Sequence, residues 1–242
     1  MVSILTWLNG LSDVVVVGSA FVFACYYLFE YRKKQKKYYP VVAVLMFCIA
    51  IGWTGILISF VAALEGNPNQ FVNVTPYFSY ATFPVGFFMC AYLAFDVFYD
   101  PKLKRSLYLG LAIFSICYYI FTFGFFDLAI QKPPVQVGNL FDDSLSPFWF
   151  PYYIVAGVDA INFYLLGTSF YKLRNKISGT ERKRTTLLFY AMIFLTAAIV
   201  LDILVWYPED INLVFIARIC MILGNFCFFW GFKTVNQDQE LS

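Results

Sequence analysis

The chain predicts an all-α fold, a polytopic integral membrane protein forming a bundle of seven transmembrane helices. Three observations carry that expectation. Charged residues make up 13% of the 242 positions, where a water-soluble domain carries roughly 25%. Apolar residues make up 61%. These gather into seven blocks of about 20, the length that crosses about 30 Å of hydrocarbon at 1.5 Å per residue. The whole of 1–242 reads as one transmembrane domain, with the bilayer as its solvent and almost nothing outside it.

The first block, at about 12–30, follows a short lead from Met1 to Asp13. That lead has no basic stretch and no small-residue cleavage site, so it reads as an outer approach to a retained helix and not as a secretory signal. The second block, about 40–64, gives way to a turn-rich outer connection from Glu65 to Thr75. Asn73-Val74-Thr75 fits the N-glycosylation pattern there, although the directly following Pro76 weighs against modification.

The third block, about 76–98, contains Pro84 within Ala81-Thr82-Phe83-Pro84-Val85-Gly86. The missing N–H of that proline predicts a kink or hinge. The fourth, about 106–128, leads into the longest outer connection, Ala129 to Pro147, with Lys132-Pro133-Pro134 and the acidic pair Asp142 and Asp143. The fifth, about 148–171, carries Pro151 in its first turn, where proline costs little. The sixth and seventh occupy about 185–207 and 210–232, before a polar tail from Thr234 to Ser242.

Orientation follows from the cations. Arg32, Lys33, Lys34, Lys36 and Lys37 follow the first block, Lys102, Lys104 and Arg105 the third, six more from Lys172 to Arg184 the fifth, and Lys233 the seventh. Fifteen of the 17 basic residues therefore fall on one side. The positive-inside rule then puts the N-terminus outside and the C-terminus in the cytoplasm, in a multi-pass protein of the plasma membrane. A basic inner face suits anionic lipid headgroups, so nucleic acid is not an expected partner.

Several chemistries are disfavoured. The chain has no histidine, the commonest metal ligand and neutral-pH base. Its six cysteines (Cys25, Cys48, Cys90, Cys117, Cys220 and Cys227) lie in apolar segments without a C-x-x-C pair and read as small buried hydrophobes. No nucleophile elbow or metal-ligand cluster is visible, so no enzyme, metal or cofactor is expected. A retinal Schiff base needs a lysine in the middle of the last helix, and the interior from Ile211 to Phe229 offers Arg218 instead. The commonest G-protein-coupled receptor motifs are missing as well: Phe95-Asp96-Val97 stands where an acidic-Arg-aromatic triplet would.

Ionisable groups inside the hydrocarbon are the informative departures, since each costs about 2.5–3.5 kcal/mol at a helix centre. Asp159 lies about 16 Å into the fifth block, Asp202 about 7 Å below the outer end of the sixth, and Arg218 about 12 Å into the seventh. An arginine at that depth calls for a carboxylate, and Asp202 on the neighbouring helix is the expected partner. Asn162 near Asp159, and Asn225 two turns from Arg218, extend a polar network. Such a network can be interhelical glue, a ligand or ion site, or a proton relay. Asp96 and Glu30 read as interfacial charges beside basic loops.

Glu181-Arg182-Lys183-Arg184-Thr185 entering the sixth helix, with Ala217-Arg218-Ile219 and Gly224 in the seventh, resembles the seven-helix membrane sensor modules attached to prokaryotic histidine kinases. The resemblance covers the last quarter of the chain and implies a free-standing sensor-like module, since no kinase domain is present. The expectation is accordingly a receptor-like or sensor-like protein with a small ligand in an outer-half pocket among helices three, five, six and seven. Asp159, Asn162, Asp202, Arg218 and Asn225 would hold that ligand, and Pro84 would be the hinge. Two alternatives stand beside it. One is an integral subunit working with a membrane or cytoplasmic protein partner; the other is a small-solute or ion transporter using the coarse 3+1+3 repetition of helices.

Overall fold

The computed structural model describes residues 2–67, 70–71, 73–98, 101–130, 135–137, 140–142, 150–204 and 211–233. These form nine helices, α1 (Ile4–Lys34), α2 (Tyr38–Leu64), α3 (Thr75–Ala81), α4 (Phe83–Phe98), α5 (Pro101–Phe123), α6 (Phe126–Ala129), α7 (Phe150–Arg174), α8 (Gly179–Leu204) and α9 (Ile211–Lys233). Two three-residue strands, β1 (Val135–Val137) and β2 (Leu140–Asp142), pair antiparallel with Val135 opposite Asp142, and β2 lies against α2. Five helical segments among the described residues are long and apolar enough to cross a membrane: Ile4–Lys34, Tyr38–Leu64, Lys102–Phe123, Gly179–Leu201 and Leu213–Lys233. The chain is thus helical throughout its core, with the makings of a multi-pass membrane protein.

The helix boundaries correct the sequence reading at three places. First, α1 begins at Ile4, eight residues before the expected start, because Ser3 caps it: the Ser3 hydroxyl oxygen accepts from the Thr6 N–H at 3.2 Å. The supposed outer lead is helix. Second, the third block is two helices divided at Thr82. Third, α5 stops at Phe123, and residues 126–129 form a separate single turn.

Helix ends follow local chemistry. The N–H of Gly66, in the left-handed conformation at φ 79°, donates to Ala63 O, and the next N–H, of Asn67, reaches back to Ala62 O at 2.9 Å. These two bonds close the end of α2 as a Schellman motif, which glycine enters without a Cβ penalty. Gln35 ends α1 in the same left-handed region at φ 52°.

Contacts between side chains fix the helix directions. Phe21 meets Phe47 and Tyr27 meets Tyr39, so α1 and α2 run antiparallel. Phe23 meets Phe226, and the Tyr27 hydroxyl donates to Phe229 O at 3.0 Å, so α1 and α9 run parallel. Gly224 faces Leu195 and Gly231 faces Leu188, so α8 and α9 run antiparallel at close approach. With α2 on α4, α4 on α7 and α7 on α8, six long helices close a ring around one apolar core that includes Met46, Leu166, Met192, Leu195 and Phe228. The remaining long helix, α5, leans on α4 from outside that ring, joined through the smaller cluster of Tyr80, Phe87, Tyr118 and Ile130.

The break at Thr82 is rewired by α5. Proline at position 84 has no N–H to give the Tyr80 carbonyl, and the Tyr118 hydroxyl donates to that carbonyl at 2.8 Å. The adjacent Tyr119 hydroxyl donates to Ala81 O at 2.8 Å. Thr82 itself turns its hydroxyl onto Cys48 O in α2 at 3.1 Å. In a medium without water, a broken helix persists only where neighbours satisfy the released backbone groups.

Candidate functional site

The face that α1 turns inward reads Thr6, Asn9, Asp13, Val16, Ala20, Phe23, Tyr27 and Glu30, all buried. The spacing alternates three and four residues, as for a helix packed along one seam. Its first three members are polar, so α1 carries a hydrophilic stripe along its N-terminal third. Asp13 lies nine residues from the start of α1, about 14 Å along the axis, and Arg218 seven residues into the parallel α9, about 10 Å. The two meet.

The Arg218 Nε stands 2.8 Å from Asp13 Oδ1, and both side chains are 0% exposed. The antiparallel register of α2 brings Trp53 level with Asp13, and the Arg218 guanidinium carbon lies 3.9 Å from the centre of a Trp53 ring. A cation held by a carboxylate at its edge and an aromatic face beneath is well compensated for its lost hydration. Among the described residues the carboxylate beside Arg218 comes from the first helix, while the side chain of Asp202, the expected partner, lies outside those described. Asp13 was read as an outer-segment charge because the helix start was placed too late.

Two buried carboxamides flank the pair. Asn9 precedes Asp13 by one turn and is 4% exposed; Asn225 follows Arg218 by two turns on the same face and is fully buried. Neither the oxygen nor the nitrogen of either amide has a hydrogen-bond partner among the described residues. Each such unmet group costs about 1–3 kcal/mol in a protein interior. Unmet donors and acceptors therefore flank a buried ion pair between α1, α2 and α9, an arrangement suited to water or a small polar molecule.

Of the residues expected at the site, Arg218 and Asn225 lie on the same buried face of α9. Asp159 and Asn162 lie in α7 and Asp202 in α8, with side chains outside those described. The α8–α9 register, extended one heptad from the Gly224 and Leu195 level, sets position 202 opposite Ala217, beside Arg218 in sequence. Pro84 sits in the first turn of α4, just past the break. The sequence reading missed Asn9, Asp13 and Trp53.

The opposite end of the bundle gathers cations. Arg184 Nε donates to Gly231 O at 3.0 Å, and its Nη1 donates to both carboxylate oxygens of Glu181 at 3.1 and 3.0 Å, capping the last turn of α9 from α8. Lys233 lies 4.7 Å from the centre of a Trp230 ring. Glu30, only 8% exposed, pairs with Lys34 at 3.0 Å. Asp96 is outside the described side chains. Thr75 of the glycosylation pattern is buried where Gly55 admits the start of α3, which removes the hydroxyl from an outer surface. Among the cysteines only Cys90 is buried, while Cys25 and Cys117 face outward from the bundle, against the expectation that all six are interior.

No protein-family model, curated protein or solved structure matches the chain.

Proposed function

We propose that this chain is a receptor-like or sensor-like seven-helix protein of the plasma membrane, with its N-terminus outside and its C-terminus in the cytoplasm. The five apolar spans would be joined by two more, the broken α3–α4 and α7. In this reading the outer half binds a small polar or amphipathic ligand. Arg218 and Asp13 orient its charges or dipoles, Asn9 and Asn225 hydrogen-bond it or its water, and Asp159, Asn162 and Asp202 extend the lining from α7 and α8. The break before Pro84 gives α3 freedom to respond.

One observation carries the reading. Two buried carboxamides on different helices, on either side of a fully buried ion pair, have no hydrogen-bond partner among the described residues. Interhelical glue would be expected to satisfy its own donors and acceptors.

The test is native mass spectrometry of the chain released from its own membrane into lipid discs. The expected result is a single chain carrying a reproducible small-molecule mass, absent from a folded Asp13→Asn, Arg218→Gln double variant. A chain free of any small molecule, or a fixed complex with other polypeptides that leaves no added mass on this one, would refute it.

A further inference from the structure

Where α5 stands off the ring, an open groove of about 330 Å³ runs between it and α7. Leu103, Leu107, Gly110 and Phe114 form one wall, and Ile161 and Leu165 belong to the other. Leu103 to Phe114 spans eleven residues, about 16 Å, close to half of the roughly 30 Å hydrocarbon core. The groove is lined mainly by apolar side chains over that length and is open on one side. Gly110 deepens it, since nothing lies within 4 Å of where its Cβ would stand.

Charge marks one end. Lys102, Lys104 and Arg105 surround the Leu103 end of α5, and Lys172, Arg174 and Lys176 lie at the end of α7, about two turns past Leu165. Lys102, Arg105 and Lys172 are exposed. The other end, at Phe114 and Val158, is apolar.

We propose that this groove is a binding site for an anionic phospholipid of the basic-side leaflet. One acyl chain lies along Leu103, Leu107, Gly110 and Phe114, and the phosphate rests between Lys102 and Lys172, the latter on the same face of α7 as Ile161 and Leu165. Apolar length matched to one leaflet and cations at one end together select a lipid with a charged head over a neutral one. The site is distinct from the Asp13–Arg218 region and does not depend on a ligand there.

The full chain, in discs containing equal phosphatidylglycerol and phosphatidylcholine, is released stepwise in the mass spectrometer. Wild type is expected to hold one phosphatidylglycerol after other lipids have left. Gly110→Phe, whose Cβ has nothing within 4 Å, puts a ring into the groove and is expected to lose that lipid. The Lys102→Gln, Lys172→Gln pair lies on the exposed surface and keeps the fold; it is expected to weaken the preference for phosphatidylglycerol about fivefold per cation removed. Equal retention of the two lipids by wild type overturns the proposal, as does unchanged preference in the double variant. Retention that survives in folded Gly110→Phe, or a second polypeptide in place of lipid, also overturns it.

Discussion

Neutralising Asp13 removes the carboxylate from a fully buried arginine. With Nε and Oδ1 at 2.8 Å and both side chains fully buried, charge centres about 4 Å apart attract by about 4 kcal/mol at an effective dielectric near 20. Breaking such a pair from one side typically costs about 3–5 kcal/mol, because the surviving ion keeps its desolvation penalty. Asp13→Asn is therefore expected to destabilise the bundle by about 3–5 kcal/mol. Trp53→Leu, which takes away the aromatic face 3.9 Å from the guanidinium, should cost about 2 kcal/mol. Adding Arg218→Gln to Asp13→Asn removes both charges together, and the double variant should regain at least half of the single-variant loss. The measurement is reversible unfolding in mixed micelles, titrated with dodecyl sulfate and followed by tryptophan fluorescence. A double variant as unstable as the sum of its two singles would refute the pairing and the energetic reasoning built on it.

Three further outcomes are expected. Tyr118→Phe strands the Tyr80 carbonyl and should cost about 1 kcal/mol; in a Pro84→Ala background, where the restored N–H at 84 can reach that same carbonyl, the change should cost less, as the same unfolding titration would show. Gly55→Ala sets a Cβ 2.7 Å from the Thr75 backbone oxygen and 2.6 Å from the Ser79 hydroxyl, and should destabilise the α2–α3 contact by about 1–3 kcal/mol, read as a lowered thermal midpoint. Gly66→Ala forces a side chain into the left-handed end of α2 and should cost about 1–2 kcal/mol, read the same way.

Apolar blocks reveal where helices run but say little about how far polar residues extend them. The first helix was read from its hydrophobic segment, so the polar turn holding Thr6, Asn9 and Asp13 was assigned to an outer lead. The signal that would have recovered it is the three-and-four spacing of those residues with Val16, Ala20 and Phe23. That spacing records which face packs and is independent of hydropathy. Arg218 could be recognised as needing a counter-charge, because an isolated guanidinium in hydrocarbon is untenable. Its described partner was unreadable for a different reason: helix neighbours in a ring are set by closure, which joins the first helix to the last. Pro84 pointed to a disturbance, yet nothing local announces that two consecutive tyrosines from another helix would complete the broken hydrogen bonds.

That closure has a consequence for biosynthesis. Asp13 leaves the ribosome about two hundred residues ahead of Arg218, on the order of 10–40 s at 5–20 residues per second. Throughout that interval the first helix must reside in the insertion machinery or the membrane with an unmatched carboxyl, protonated or held by a surrogate. The later-made α9 brings the arginine, so the charge pair forms only once both helices are in place.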